Sequence, residues 1–203
     1  MATATPEPAA GAALSPWRHL PNTLTCMRML LVVPLAWLIR ESHYDAALLV
    51  AAGAGLSDAL DGWLAKHFGW QSWLGGVLDP IADKLMLTAC YISLGIIGAH
   101  PDWLTWLVVG RDVVIVAGAV AYHNFIGHIE AHPTQFSKFT TCVQIAYVLA
   151  QLVTLSSWIE LPARALTALI WLVAACTLAS GLQYVVLWSR KAQLEARRQR
   201  GSP

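Results

Sequence analysis

A chain of 203 residues that is 57% hydrophobic, 12% charged and carries ten tryptophans is not composed like a water-soluble domain; it is composed for a membrane. The formal net charge of +1 says little by itself, and no nucleic-acid partner is expected from it. Cys26, Cys90, Cys142 and Cys176 are scattered singly through apolar segments with no CxxC spacing, which excludes a disulfide or zinc framework in favour of small core-filling side chains.

In chain order, residues 1–20 are rich in Ala and Pro and lack a basic stretch followed by an apolar core, so no cleaved signal is expected. Within them, Leu14 to Leu20, with Trp17 and Arg18, reads as a short interfacial helix. Six apolar segments follow, from Pro21 to Ile39, Tyr44 to Lys66, Trp73 to Gly98, Trp103 to Phe125, Phe136 to Trp158 and Pro162 to Trp188. Each is long enough to cross a hydrocarbon core of roughly 30 Å. The expected fold class is therefore an all-α membrane protein of six transmembrane helices over residues 21–188, with a basic cytoplasmic tail at 189–203.

An even number of spans puts both termini on one face. Arg18, Lys66, His67, Lys138 and the tail residues Arg190, Lys191, Arg197, Arg198 and Arg200 fall on that face, and Arg40 and Arg164 on the other. Cytoplasmic loops carry the excess of Lys and Arg, so both termini are expected in the cytoplasm. Trp17, Trp37, Trp70, Trp73, Trp103, Trp158 and Trp188 lie near span ends, where an amphipathic ring is comfortable. His123, His128 and His132 follow the fourth span at spacings that suit no helical face, and read as solvated loop residues.

The costly residues are Asp58, Asp61, Asp79 and Asp83, carboxylates at membrane depth that need partners. On a helix, Asp58, Asp61, Gly62 and Ala65 fall at i, i+3, i+4 and i+7, and Gly75, Asp79 and Asp83 at i, i+4 and i+8, so each set lines one stripe. Two such helices facing each other would bring four carboxylates together. Lys66 and Lys84 are too few to neutralise them, whereas divalent ions with hard oxygen ligands, magnesium or manganese, would. Gly62, Gly75 and Gly76 clear space along the same stripes for a ligand or for close helix packing.

The string Asp58-x-x-Asp61-Gly62-x-x-Ala65-Lys66, eight residues, then Gly75-x-x-x-Asp79-x-x-x-Asp83 resembles the signature of the CDP-alcohol phosphatidyltransferases. Its one departure is Lys66, where the family normally carries arginine. Pro21-Asn22-x-Leu24-Thr25-x-x-Arg28 is similar to the family's opening segment. The resemblance implies six spans with cytoplasmic ends, and Mg²⁺ or Mn²⁺, as two ions, held by Asp58, Asp61, Asp79 and Asp83. It further implies Asp83 as general base, and a pocket for the CDP of CDP-diacylglycerol lined by Asn22, Thr25, Arg28, Asp58, Gly62, Ala65, Lys66 and Gly75. Family members often form homodimers, which leaves that assembly open here. With no transit peptide, a bacterial inner membrane is the expected location.

The acceptor alcohol turns on the second half. Arg111, followed by Asp112 in the fourth span, and Lys138, opening the fifth, are isolated cations that should face a polar cavity. Pairing of Arg111 with Asp112 is the structural alternative; the resemblance implies binding of an anionic acceptor. Phosphatidylglycerolphosphate synthases of the family usually carry further arginine beyond the first, whereas here Val113 to Tyr122 has no basic residue. A phosphomonoester with nearly two charges would want more than Arg111 and Lys138, and a diester with one would not. Gly110-Arg111-Asp112-Val113 and Phe136-Ser137-Lys138-Phe139-Thr140-Thr141-Cys142-Val143-Gln144 are similar to the eukaryote-type cardiolipin synthase branch. Phosphatidylglycerol is thus the favoured acceptor and glycerol 3-phosphate the alternative. A small ion transporter or channel, the reading from another class, would also place acids at membrane depth but would not need the glycine and alanine spacing.

Overall fold

The computed structural model describes residues 20–68, 73–125 and 134–200, and the side chains of 25–58, 60, 81–118 and 134–189. The expected interfacial helix at Leu14 to Leu20 and the histidines at 123, 128 and 132 lie outside those described side chains. Six helices follow one another: α1 (Leu20–Arg40), α2 (Tyr44–Phe68), α3 (Trp73–Ile96), α4 (Asp102–Phe125), α5 (Gln135–Leu155) and α6 (Ala163–Arg200), with no strand among the described residues. Long apolar segments satisfy their own backbone only as helices when water is scarce. All-α architecture follows from that constraint.

The ends of the helices carry their reasons. Ser42, Gly98 and Ser157 adopt left-handed backbone (φ 63°, 72° and 60°) just beyond α1, α3 and α5. At α3 the Gly98 N–H reaches the Gly95 carbonyl (2.9 Å) and the Ala99 N–H reaches that of Leu94 (2.9 Å), the paired closure that stops a helix. Ser42 and His43 repeat it at α1, onto Ile39 (3.3 Å) and Leu38 (2.9 Å). The third expected span stopped at Gly98 and the fifth ran to Trp158; these caps end the helices slightly earlier. At the other extreme, α6 runs past the expected span end into the basic tail, because Ala192 to Arg200 are nearly all good helix formers.

Packing divides the bundle into α1, α2 and α3 on one side and α4, α5 and α6 on the other. α1 packs against both α2 and α3, α6 against α4 and α5, and α2–α5, α3–α4 and α3–α5 contacts join the halves. Among the described residues α2 and α3 do not pack on each other. α1 lies against both aspartate helices; the side chains of Asp61 and Asp79, on which the expected face-to-face arrangement turns, lie outside the described residues. The apolar core is built by Leu35 and Ile39 of α1, Leu48 of α2, Tyr91 and Leu94 of α3, Leu104 and Val108 of α4, Tyr147 and Leu152 of α5 and Val173 of α6.

Outside that core the surface remains apolar on every helix. Leu30 and Val33 on α1 and Trp106 on α4 are each about three-quarters exposed, joined by Leu56 on α2, Ile92 on α3, Ile145 on α5 and Trp171 on α6. Among the described residues, Gln135–Leu155 and Ala163–Ser189 are long and apolar enough to cross a membrane by length and composition alone. Trp103 stacks at 5.7 Å on Trp171, and Trp158 is exposed just beyond α5. The four cysteines are free, but only Cys90 and Cys176 fill the core as expected; Cys26 and Cys142 are exposed.

The α3–α4 turn is closed by a buried polar cluster with no sequence signature. His100 Nε2 lies 2.8 Å from Thr105 Oγ1, which donates to the Tyr91 carbonyl (3.1 Å). The imidazole meets the rings of Tyr91 and Tyr147 at 5.7 and 5.9 Å. Gln151 donates to the Ala99 carbonyl and the Tyr147 hydroxyl, both at 2.8 Å. Gly95 is required here, since a Cβ would stand 2.9 Å from Thr105 Oγ1. Gly95→Ala is expected to destabilise by about 1–3 kcal/mol through overpacking. Gly55→Ala, where nothing lies within 4 Å, is the control; equal Tm values for the two variants in detergent would contradict the close fit.

Burial pushes the His100 pKa below its usual 6.5, opposed by the nearby Asp102 carboxylate. The folded state thus favours the neutral ring, and the unfolded chain binds the extra proton. The stability that His100 contributes is fully present above its unfolded pKa and is lost as pH falls below it toward the folded value. Unfolding temperatures measured from pH 8 downward should fall across that window in the wild type and less in His100→Gln; parallel curves would refute the link.

Candidate functional site

Arg28 of α1 is nearly fully buried, at 4% exposure, yet it meets two carboxylates from different helices. Its Nη2 lies 2.5 Å from Asp58 Oδ1 on α2, and its Nη1 donates to Asp83 Oδ1 on α3 at 2.8 Å. Only a forked, permanently charged group can serve both at once. The carboxylates themselves are 39% and 47% exposed, so the guanidinium sits inside while the oxygens face outward. Thr25, one turn before Arg28 on the same face, is buried, and Ser57 beside Asp58 donates back to the Gly53 carbonyl (2.6 Å).

Two of the four expected carboxylates therefore converge on one cationic group. The side chains of Asp61 and Asp79, and those of Asn22, Gly62, Ala65, Lys66 and Gly75, lie outside the described residues. Helical register puts Asp61 one turn after Asp58 and Asp79 one turn before Asp83. Among the described residues no three metal-ligating side chains come together. The donor set still fits a divalent cation: half-exposed carboxylate oxygens from two helices, gathered by a single positive charge. Alongside runs a groove of about 210 Å³ between α1 and α2, with Arg28 and Ser57 on its wall and Met27, Leu31, Leu49, Val50 and Ala54 making the rest apolar.

A second ionic cluster surrounds Arg111 of α4, also nearly fully buried. Its Nη1 donates to Asp112 Oδ1 (2.6 Å), and its Nη2 donates to Ser137 Oγ on α5 and Ser180 Oγ on α6, each at 2.7 Å. The same Asp112 oxygen takes Lys84 Nζ of α3 at 2.5 Å. Pairing of Arg111 with Asp112 is thus present, within a network that ties four helices together. Lys138 is exposed, next to Ser137 in sequence, and its side chain makes no ion pair among the described residues. Sequence reasoning missed Ser180, which only long-range packing could reveal, and weighed Lys84 only as a countercharge for the four aspartates, not as the partner of Asp112.

The model of the CDP-alcohol phosphatidyltransferase family matches residues 18–188. The chain belongs to the CDP-alcohol phosphatidyltransferase family. It is 37% identical over 155 residues to a rat protein named cardiolipin synthase (CMP-forming), covering 68% of this chain and 51% of the relative. A human protein of the same name is 34% identical over 185 residues, covering 73% of this chain and 61% of the relative. A rice chloroplastic CDP-diacylglycerol–glycerol-3-phosphate 3-phosphatidyltransferase is 32% identical over 183 residues, with 82% of this chain and 56% of the relative covered. This chain thus spans between half and two-thirds of the length of these relatives.

Arg28→Ala would leave Asp58 and Asp83 without the charge they share. The expected result is a Tm lowered by several degrees in chelator-treated buffer, with Mn²⁺ or Mg²⁺ recovering more of it than it adds to the wild type. Arg28→Lys, which keeps a charge but not the fork, should fall between. An unshifted Tm in Arg28→Ala would show that the bridge contributes nothing to the assembly of α1, α2 and α3.

Proposed function

We propose that this chain is an integral membrane enzyme that transfers the phosphatidyl group of CDP-diacylglycerol to a glycerol-type alcohol and releases CMP. The favoured acceptor is phosphatidylglycerol. The observation that carries the proposal is the convergence of Asp58 and Asp83 on Arg28, because all three belong to the segments that match the family. The names of the rat and human relatives support the same reaction.

All six helices are proposed to span the bilayer, supported by the large apolar side chains that each turns outward. Both termini would then lie on the cytoplasmic face, with a bacterial inner membrane as the location. Stripes of small residues permit association of helices into a homodimer.

In the proposed site, Asp58, Asp61, Asp79 and Asp83 hold Mg²⁺ or Mn²⁺, as two ions. Bound metal supplies Lewis-acid neutralisation of the pyrophosphate. Asn22, Thr25, Arg28, Asp58, Gly62, Ala65, Lys66 and Gly75 line the CDP pocket. Lys66 offers phosphate a point charge in place of arginine's planar fork. Asp83 takes the proton from the acceptor hydroxyl, whose oxygen bonds to the phosphorus that carries diacylglycerol. The bond from that phosphorus to the bridging pyrophosphate oxygen breaks, and CMP departs with the electron pair. Arg111 and Lys138 supply positive charge for the acceptor's phosphate.

Glycerol 3-phosphate is the second reading, supported by the name of the rice relative and by that of a mycobacterial phosphatidylglycerophosphate synthase 34% identical over 117 residues. Purified protein with Mg²⁺ or Mn²⁺ should release CMP from CDP-diacylglycerol when phosphatidylglycerol is added, and chelation should abolish it. Release with glycerol 3-phosphate alone would shift the assignment to the second reading, and release with neither would refute the enzyme. Asp83→Asn should lower turnover by roughly 10²-fold or more, on the scale of lost acid–base catalysis, while CDP-diacylglycerol still binds. Near-normal turnover in that variant would remove Asp83 as the base.

A further inference from the structure

The Arg111 cluster does not divide its work evenly. Arg111 is buried, and both of its terminal nitrogens are committed, one to Asp112 and one to Ser137 and Ser180. To grip a phosphate directly it would have to leave partners on α5 and α6. Lys84 differs: its ammonium touches Asp112, but its side chain is 39% exposed. It is the cation of this cluster that a ligand can reach without dismantling the helix packing.

The position of Lys84 matters as much as its exposure. It follows Asp83 directly on α3, and successive helical residues point about 100° apart. Asp83 meets Arg28 of α1, and Lys84 meets Asp112 of α4. One turn of α3 thus carries, on adjacent sides, the proposed base and a cation tethered toward the second half of the bundle. An acceptor whose hydroxyl is at Asp83 carries its phosphate a few atoms away, a span that a side chain on the same helical turn can cover.

We propose that Lys84 binds the phosphate of the acceptor, and that Asp112 and Arg111 are positioning residues that hold Lys84 in place. This rests on the transferase reading above. Arg111 contributes its charge from behind Asp112 rather than by contact. Within the cluster, Lys84 and Arg111 are two positive charges against the single negative charge of Asp112, so one positive charge is left over for the acceptor's phosphate.

The test measures KM for each substrate by CMP release, with phosphatidylglycerol in one arm and glycerol 3-phosphate in the other. The arm that the wild type turns over is decisive. Lys84→Ala should raise the acceptor KM about tenfold or more, the scale of one charged hydrogen bond, while the KM for CDP-diacylglycerol stays within about twofold. Lys84→Arg should restore most of the acceptor KM, and Asp112→Asn should raise it with the charge of Lys84 intact. Should Lys84→Ala fail to fold, Lys84→Gln against Lys84→Arg makes the same comparison. An acceptor KM unchanged by losing the charge, or both KM values raised alike, overturns the inference and leaves the transferase reading standing. A wild type that releases no CMP in either arm overturns that reading, and the inference with it.

Discussion

The bundle depends on one guanidinium. Neighbouring carboxylates repel each other even when half-exposed, and a buried guanidinium needs partners; Arg28 meets both demands by standing between Asp58 and Asp83. Because it comes from α1, the helix that packs on both α2 and α3, the ion pairs and the hydrophobic contacts enforce the same arrangement. Asp58 and Asp83 keep oxygens toward the outside while Arg28 stays buried behind them.

The second cluster applies the same rule in another form. Asp112 is paid back for its burial by two cations at once, one from its own helix and one from α3. Serines on α5 and α6 take the second terminal nitrogen of Arg111. The two networks meet at consecutive residues of α3, Asp83 and Lys84. α3 is therefore the helix that carries a member of each network.

Much of this was legible in the sequence because the physics involved is local. Six apolar segments gave the six described helices, although Ser157, just beyond α5, had read as part of the fifth span. Asp58, Asp83 and Arg28 were all expected at one site, and their side chains meet. Only the family resemblance set Arg28 beside the aspartates; periodicity alone could not. Arg28 stands 30 residues before Asp58 and 55 before Asp83, and nothing in periodicity couples such distances. Ser180 is further still from Arg111, and serine is too common in membrane helices to signal a partner. The His100 cluster was silent for a similar reason: a histidine in a short turn looks solvated until the tyrosines that cover it are seen.

α6 has a consequence of its own. Its 38 residues extend about 57 Å at 1.5 Å per residue, nearly twice the roughly 30 Å of a hydrocarbon core. In the proposed spanning orientation, no tilt within the usual range can hide that length, and the arginine-bearing end stands among headgroups or beyond them. Ser180, the contact of Arg111 on this helix, lies about 30 Å from Arg200 along the axis. In that orientation the headgroup preference of the tail sets how deep the Arg111 network lies.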